Sequence, residues 1–95
     1  MEKIEIKGIP NSLARLIGFE LGVHVYNENN LNNIDLKDKV EIVFPETIEK
    51  ISSSFVQGFF SGFIKKVGKN TAKEQVIIKM KDDELTSMFY KKLYY

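Results

Sequence analysis

Three consecutive hydroxyls, Ser52-Ser53-Ser54, stand directly ahead of a strongly apolar run that opens at Phe55. Serine oxygens in such a position cap helices, and the unpaired N–H groups and positive dipole end of a helix start favour an anion. A phosphate added to one of these serines would be tolerated there and would change the surface a partner meets. Ser54, immediately before Phe55, is the expected cap. Few other groups can do chemistry. His24 is the only histidine, and a lone histidine late in a helix is read as a surface or half-buried residue. Cysteine is absent, which excludes disulfides, a thiolate nucleophile and a cysteine-ligated zinc. Neither G-x-x-x-x-G-K-[ST] nor G-x-G-x-x-G occurs, so no phosphate-cradling loop is expected. The expectation is no catalytic residue, no metal and no cofactor.

The elements that must position the serines follow from periodicity. Residues 2–7 alternate, with Ile4 and Ile6 on one side and charges on the other, as in a half-buried strand. Gly8-Ile9-Pro10 is a turn, after which Asn11 or Ser12 caps a helix with Leu13, Leu16, Ile17, Leu21 and Val25 on its buried stripe. Phe19, Leu21, Val23 and Val25 also alternate like a strand; the helix is preferred. Gly18 and Gly22 share one face of that helix, where another backbone can come close. Asn27 to Asn33 reads as an exposed loop. Val40 to Phe44 is nearly all apolar, as in a central strand covered on both faces, and Pro45 closes it.

Val56, Phe59, Phe60, Phe63, Ile64 and Val67 then mark an amphipathic helix that one of the three serines caps and Gly68 ends. At least two of Phe59, Phe60 and Phe63 should be nearly buried. Gly58 and Gly62 form a small-xxx-small pair suited to close packing, in the core or at a dimer contact. Gln75 to Met80 is a third strand, and Asp82 caps a last helix with the stripe Leu85, Met88, Phe89 and Leu93. Strands alternating with helices predict a small α/β fold with a largely parallel sheet and helices after the strands.

Composition sets the outer bounds. With 95 residues, 43% of them hydrophobic and 28% charged, the chain reads as one domain over 1–95. The charged start, Glu2-Lys3-Ile4-Glu5, is no signal peptide, and the apolar run from Phe55 to Ile64 is half of a membrane span. A cytoplasmic protein without membrane attachment is expected. Net charge is +1, and the basic cluster Lys65, Lys66, Lys69 and Lys73 lacks the interleaved exposed aromatics of a nucleic-acid surface. It complements a helix C-terminus instead.

An apolar strand, a short loop and Ile51-Ser52-Ser53-Ser54-Phe55 opening a hydrophobic helix resemble the STAS fold, and most closely the STAS-like family of unknown function. Ser12-Leu13-Ala14-Arg15 and Gly18 are similar to that family's first helix, so the resemblance runs from there to the end of the chain. STAS domains are small non-enzymatic interaction modules. In the anti-sigma factor antagonists among them, a GHKL-type kinase phosphorylates a serine at the helix start within Asp-Ser-Ser-Gly, and phosphate breaks the complex. Here Ser52 stands for the aspartate, Ser53 and Ser54 for the serines, and Phe55 for the glycine, a departure that bears on the phosphorylation cycle rather than on the binding role.

The resemblance implies a regulatory protein-interaction module with a GHKL-type ATPase as partner, and Ser52, Ser53, Ser54 and Phe55 as partner-binding or phosphorylation candidates. An alternative is an inhibitor encoded by a phage or mobile element and directed at a host defence or regulatory protein. An enzyme is the least favoured class, for want of a catalytic set. Eleven aromatic residues crowd this short chain, so Tyr90, Tyr94 and Tyr95 are expected to exceed what one core covers, and to serve a homodimer or partner interface on the last helix.

Overall fold

A computed structural model describes residues 1–94. In chain order the elements are β1 (Glu2–Glu5), β2 (Arg15–Leu16), α1 (Phe19–Glu28), a 3-10 turn (Leu31–Asn33), β3 (Val40–Val43), β4 (Lys50–Ile51), α2 (Ser53–Val67), α3 (Lys69–Gln75), β5 (Val76–Lys79) and α4 (Asp83–Leu93). β1, β3 and β5 form a parallel sheet in that order, so the apolar strand is central, as its composition predicts. β2 and β4 form a second, two-stranded parallel sheet, pairing Arg15 with Lys50 and Leu16 with Ile51. The α/β class and the parallel sheet expected from the alternation of elements are both present.

One face of the main sheet carries Ile6, Val40, Ile42, Phe44, Val76, Ile78 and Met80, all buried. α2 lies against this face at the centre of the helical layer, with Phe55, Phe59, Phe60 and Phe63 fully buried. Phe44 meets Phe59 edge-on at 5.2 Å between centroids and Phe89 of α4 at 6.0 Å, which ties sheet, central helix and last helix together. The other face of the sheet is not covered. Lys3, Glu5 and Lys79 are exposed there, and Glu41, Val43 and Ile77 only half-buried. This corrects the expectation of a central strand enclosed on both sides. The helices all stack on one face because α2 is wide enough in its apolar stripe to pack with α1, α3 and α4 at once.

Three further expectations change. The first helix begins at Phe19 and not near Ser12: residues 12–15 form a turn and then enter β2, and Ile17, assigned to the buried stripe, is 60% exposed. Pairing of Leu16 with Ile51 outcompetes the local helical pattern, and Gly18, at φ 107°, makes the corner between strand and helix in a conformation open to glycine. Phe19 to Val25 is helix, so the competing strand alternation fails. The expected loop at 27–33 is the end of α1 followed by a 3-10 turn that buries Leu31. α3 was not signalled by its polar sequence Lys69 to Gln75; Gly68, at φ 88°, ends α2 as expected and starts α3 directly. The Asp82 cap of α4 and its buried Leu85, Phe89 and Leu93 agree with the sequence pattern, while Met88 is exposed.

The glycines of the helix pair have a packing role. A Cβ on Gly22 would strike the Phe55 carbonyl and the Phe59 amide, and one on Gly58 would strike the Phe19 carbonyl. Gly62 faces the Tyr26 ring. The small-xxx-small pair is therefore a core contact, with Gly22 as its counterpart. Gly18, outside the helix, is not.

Two expectations follow for stability. In an open helix Gly→Ala gains about 1 kcal/mol, but Gly58→Ala should lose about 1–3 kcal/mol by overpacking against backbone. Thermal melts should show Gly62→Ala losing less, because the Tyr26 side chain can swing where a carbonyl cannot; a Gly58→Ala protein melting above wild type would contradict the close contact. Burial also pushes the Tyr26 phenol above its ordinary pKa. The unfolded chain then ionises first, so stability present below about pH 10 declines as pH rises beyond it. Tyr26→Phe, which keeps the ring contacts, should lose melting temperature less steeply than wild type above about pH 10. Equal slopes would remove this assignment.

Candidate functional site

β2 and β4 run side by side and each delivers its chain into a helix. The Ser52 N–H donates to the Leu16 carbonyl at 2.9 Å, continuing the short sheet to the start of α2. Ser52 is the N-cap: its Oγ accepts from the Phe55 N–H at 3.0 Å. The same oxygen accepts from the Gly18 N–H at 3.2 Å and lies 3.0 Å from Ser54 Oγ. One hydroxyl thus serves the first turn of α2 and the corner that opens α1. This corrects the assignment of Ser54 as the cap. The helix starts two residues earlier than the apolar run implies, because β4 fixes Ile51 and leaves Ser52 in extended geometry, as an N-cap requires.

The remaining serines face outward. Ser53 and Ser54 are exposed in the first turn of α2, which holds no acidic residue. Among the described residues no protein group accepts from the N–H of either. Phe55, a candidate for partner contact, is fully buried and stacks on Phe59 at 6.0 Å between centroids. It belongs to the core and has no surface to offer a partner.

Two residues that pattern reasoning placed elsewhere complete the site. Ile17 is 60% and Phe19 49% exposed, on either side of Gly18, whose N–H holds Ser52. Both are large apolar side chains left in solvent beside the start of α2. The sequence carries one signal for them: Gly18 interrupts the apolar stripe that Ile17 would otherwise join.

The other candidates lie apart. Tyr90 is half-buried, and its hydroxyl accepts from the Ile78 N–H at 2.8 Å, which engages it on the edge of β5. Tyr94 is 60% exposed, with the Lys73 ammonium 4.1 Å above its ring. Partial loss of hydration, then the like charge of Lys69, lowers the Lys73 pKa. Tyr95 lies outside the described residues. His24 faces solvent with Glu28 at 3.8 Å on the next turn. The crevice beyond the carboxyl ends of the main strands, of about 460 Å³, is lined by Phe44, Met80 and charges of both signs from Lys3, Glu5, Glu46, Lys79 and Lys81. No group of three or more metal-ligating side chains occurs among the described residues, and no described helix is long and apolar enough to cross a membrane.

Comparison with known proteins adds one finding. The family model for the STAS-like domain of unknown function matches residues 23–86, about two thirds of the chain, from within α1 to the first turn of α4. The matched stretch includes β3, the serine junction and the whole of α2. No curated protein and no solved structure gives a significant match.

The Ser52 hydroxyl should be the energetically important one. Ser52→Ala removes the cap and leaves the Gly18 N–H without its partner, so a loss of about 1–2 kcal/mol is expected. Ser53→Ala and Ser54→Ala should each change stability by less than about 0.5 kcal/mol, as surface substitutions do. Chemical denaturation of the three variants decides this, and a Ser54→Ala protein less stable than Ser52→Ala would reverse the cap assignment.

Proposed function

The chain belongs to the STAS-like family of domains of unknown function, and we propose that it works as a protein-interaction module which regulates a partner by reversible binding at the start of α2. The observation that supports this most is the surface made by Ile17, Phe19, Ser53 and Ser54. Ile17 and Phe19 are exposed on either side of Gly18, whose N–H donates to Ser52, and Ser53 and Ser54 follow Ser52 with exposed hydroxyls and unpaired N–H groups. Apolar anchors in such a patch supply affinity, and the polar helix start supplies a point at which charge can be added.

In this reading a GHKL-type ATPase is the partner, as the likeness to anti-sigma factor antagonists implies, and a negative charge at Ser53 weakens the complex. Ser53 is preferred to Ser52 as the point of charge, since the Ser52 hydroxyl has three close neighbours within the fold. No acidic side chain lies in the first turn of α2, so an added phosphate meets the positive helix end without a like charge on that turn.

Calorimetric titration against a GHKL-type ATPase of the same host tests the proposal. Ile17→Ser and Phe19→Ser should each weaken binding by about tenfold or more. Ser53→Asp should also weaken it, while Ser53→Ala should bind as wild type does. Equal affinity across all four variants would reduce the junction to a helix cap. Absence of any binding by the ATPase would remove that partner. The surface itself is then tested by comparing proteins captured from the host by wild type and by Ile17→Ser, Phe19→Ser; identical capture would remove the surface.

A further inference from the structure

The two edges of the main sheet are treated differently. Hydrogen bonds of the parallel ladder alternate, so every second residue of an edge strand turns its N–H and C=O away from the sheet. On β5 the outward residues are Ile78 and Met80, and α4 covers them: the Ile78 N–H donates to Tyr90 Oη at 2.8 Å and the Met80 N–H to Thr86 Oγ1 at 3.0 Å. On β1 the Ile6 N–H donates inward to the Val43 carbonyl at 2.8 Å, which turns Lys3, Glu5 and Lys7 outward. Lys7 is closed by the Asn29 amide, which accepts from the Lys7 N–H at 2.8 Å and donates to its carbonyl at 3.0 Å. Among the described residues nothing pairs with the outward main chain of Lys3 and Glu5. A groove of about 490 Å³ runs beside this stretch, lined by Lys3, Ile4, Glu5, Lys7, Glu28 and Asn29.

We propose that the open edge of β1 pairs with β1 of a second copy of this chain, in antiparallel register, to form a continuous six-stranded sheet. The charges select this occupant. With Ile4 opposite Ile4 at the two-fold axis, Lys3 faces Glu5 of the second copy and Glu5 faces its Lys3, so two opposite-charge pairs form on the uncovered face. The outward N–H and C=O groups of both residues meet their counterparts in the same register. Ile4, half-buried in one copy, is covered by its twin. Sliding the strands by two residues in one direction sets Lys3 against Lys3. Sliding them in the other sets Glu5 against Glu5, and requires the main chain of Lys7, which Asn29 already holds. One register remains. This surface is separate from the helix start proposed for the partner, and the dimer does not depend on it.

Sedimentation velocity over a concentration series in low salt reads the association. Wild type should dimerise. Lys3→Glu and Glu5→Lys each replace attraction by repulsion in both pairs and should weaken association about tenfold or more. The double variant Lys3→Glu, Glu5→Lys restores opposite charges in the same register, and should return to within about threefold of wild type. Circular dichroism checks that each variant keeps its fold. Hydrogen exchange supplies a second readout: the Lys3 and Glu5 amides should become protected as concentration rises. A wild type that stays monomeric, with the edge charges serving only to repel strands, would overturn the proposal. So would a dimer indifferent to the single changes, one not rescued by the double change, or amides whose exchange ignores concentration.

Discussion

The backbones of α1 and α2 approach each other so closely at Gly22 and Gly58 that neither position has room for a methyl group. This contact sets how the two helices lie along one another, and much else follows from that setting. It brings the Phe19 end of α1 beside the start of α2, where the Gly18 N–H reaches Ser52 Oγ. It also places Tyr26 against Phe59 and Phe63, with edge-on rings at 6.3 and 4.9 Å between centroids, so the aromatic core continues from one helix to the next. Were the helices one side-chain layer further apart, the serine hub and the Tyr26 contacts would both be lost.

The short β2–β4 pair works with this helix contact. Two residues in each strand add little stability by themselves, yet they align Leu16 with Ile51 immediately before both helices begin. Both residues are buried, whereas Ile17 and Phe19, beyond the pairing, turn outward. An apolar pair is therefore left in solvent, not through poor packing but because the corner at Gly18 redirects the chain. The surface proposed for partner binding is a by-product of a strand-to-helix junction that Ser52 ties together through the Leu16 carbonyl and the Gly18 and Phe55 N–H groups.

Main-chain hydrogen bonding gives the fold its asymmetry. α4 closes one side of the sheet through two side-chain hydroxyls, and the Asn29 amide closes the far end of the other. No buried side-chain polar atom among the described residues lacks a partner. Against that background the free stretch at Lys3 and Glu5 stands out. Its alternating charges can act either as a guard against indiscriminate pairing or as the code for one specific pairing.

Local sequence pattern was enough to locate the strands observed at Glu2–Glu5, Val40–Val43 and Val76–Lys79, within expected spans of 2–7, 40–44 and 75–80, together with the aromatic helix, its terminal Gly68 and the Asp82 cap of α4. In these segments burial, propensity and capping chemistry agree, so a single chain suffices to read them. The serine run was legible as a helix start, and its neighbourhood led to the family that the match over residues 23–86 bears out. Which serine caps was not legible, since three identical residues differ only in where β4 ends. Nor were β2, the late start of α1, the exposure of Ile17 or the burial of Phe55. Each of these is decided by a partner outside the local segment: Leu16 becomes strand because Ile51 lies beside it, and Phe55 turns inward because Phe44 receives it. Local pattern states which side chains want to leave water; only the packed tertiary structure decides which of them find room to do so.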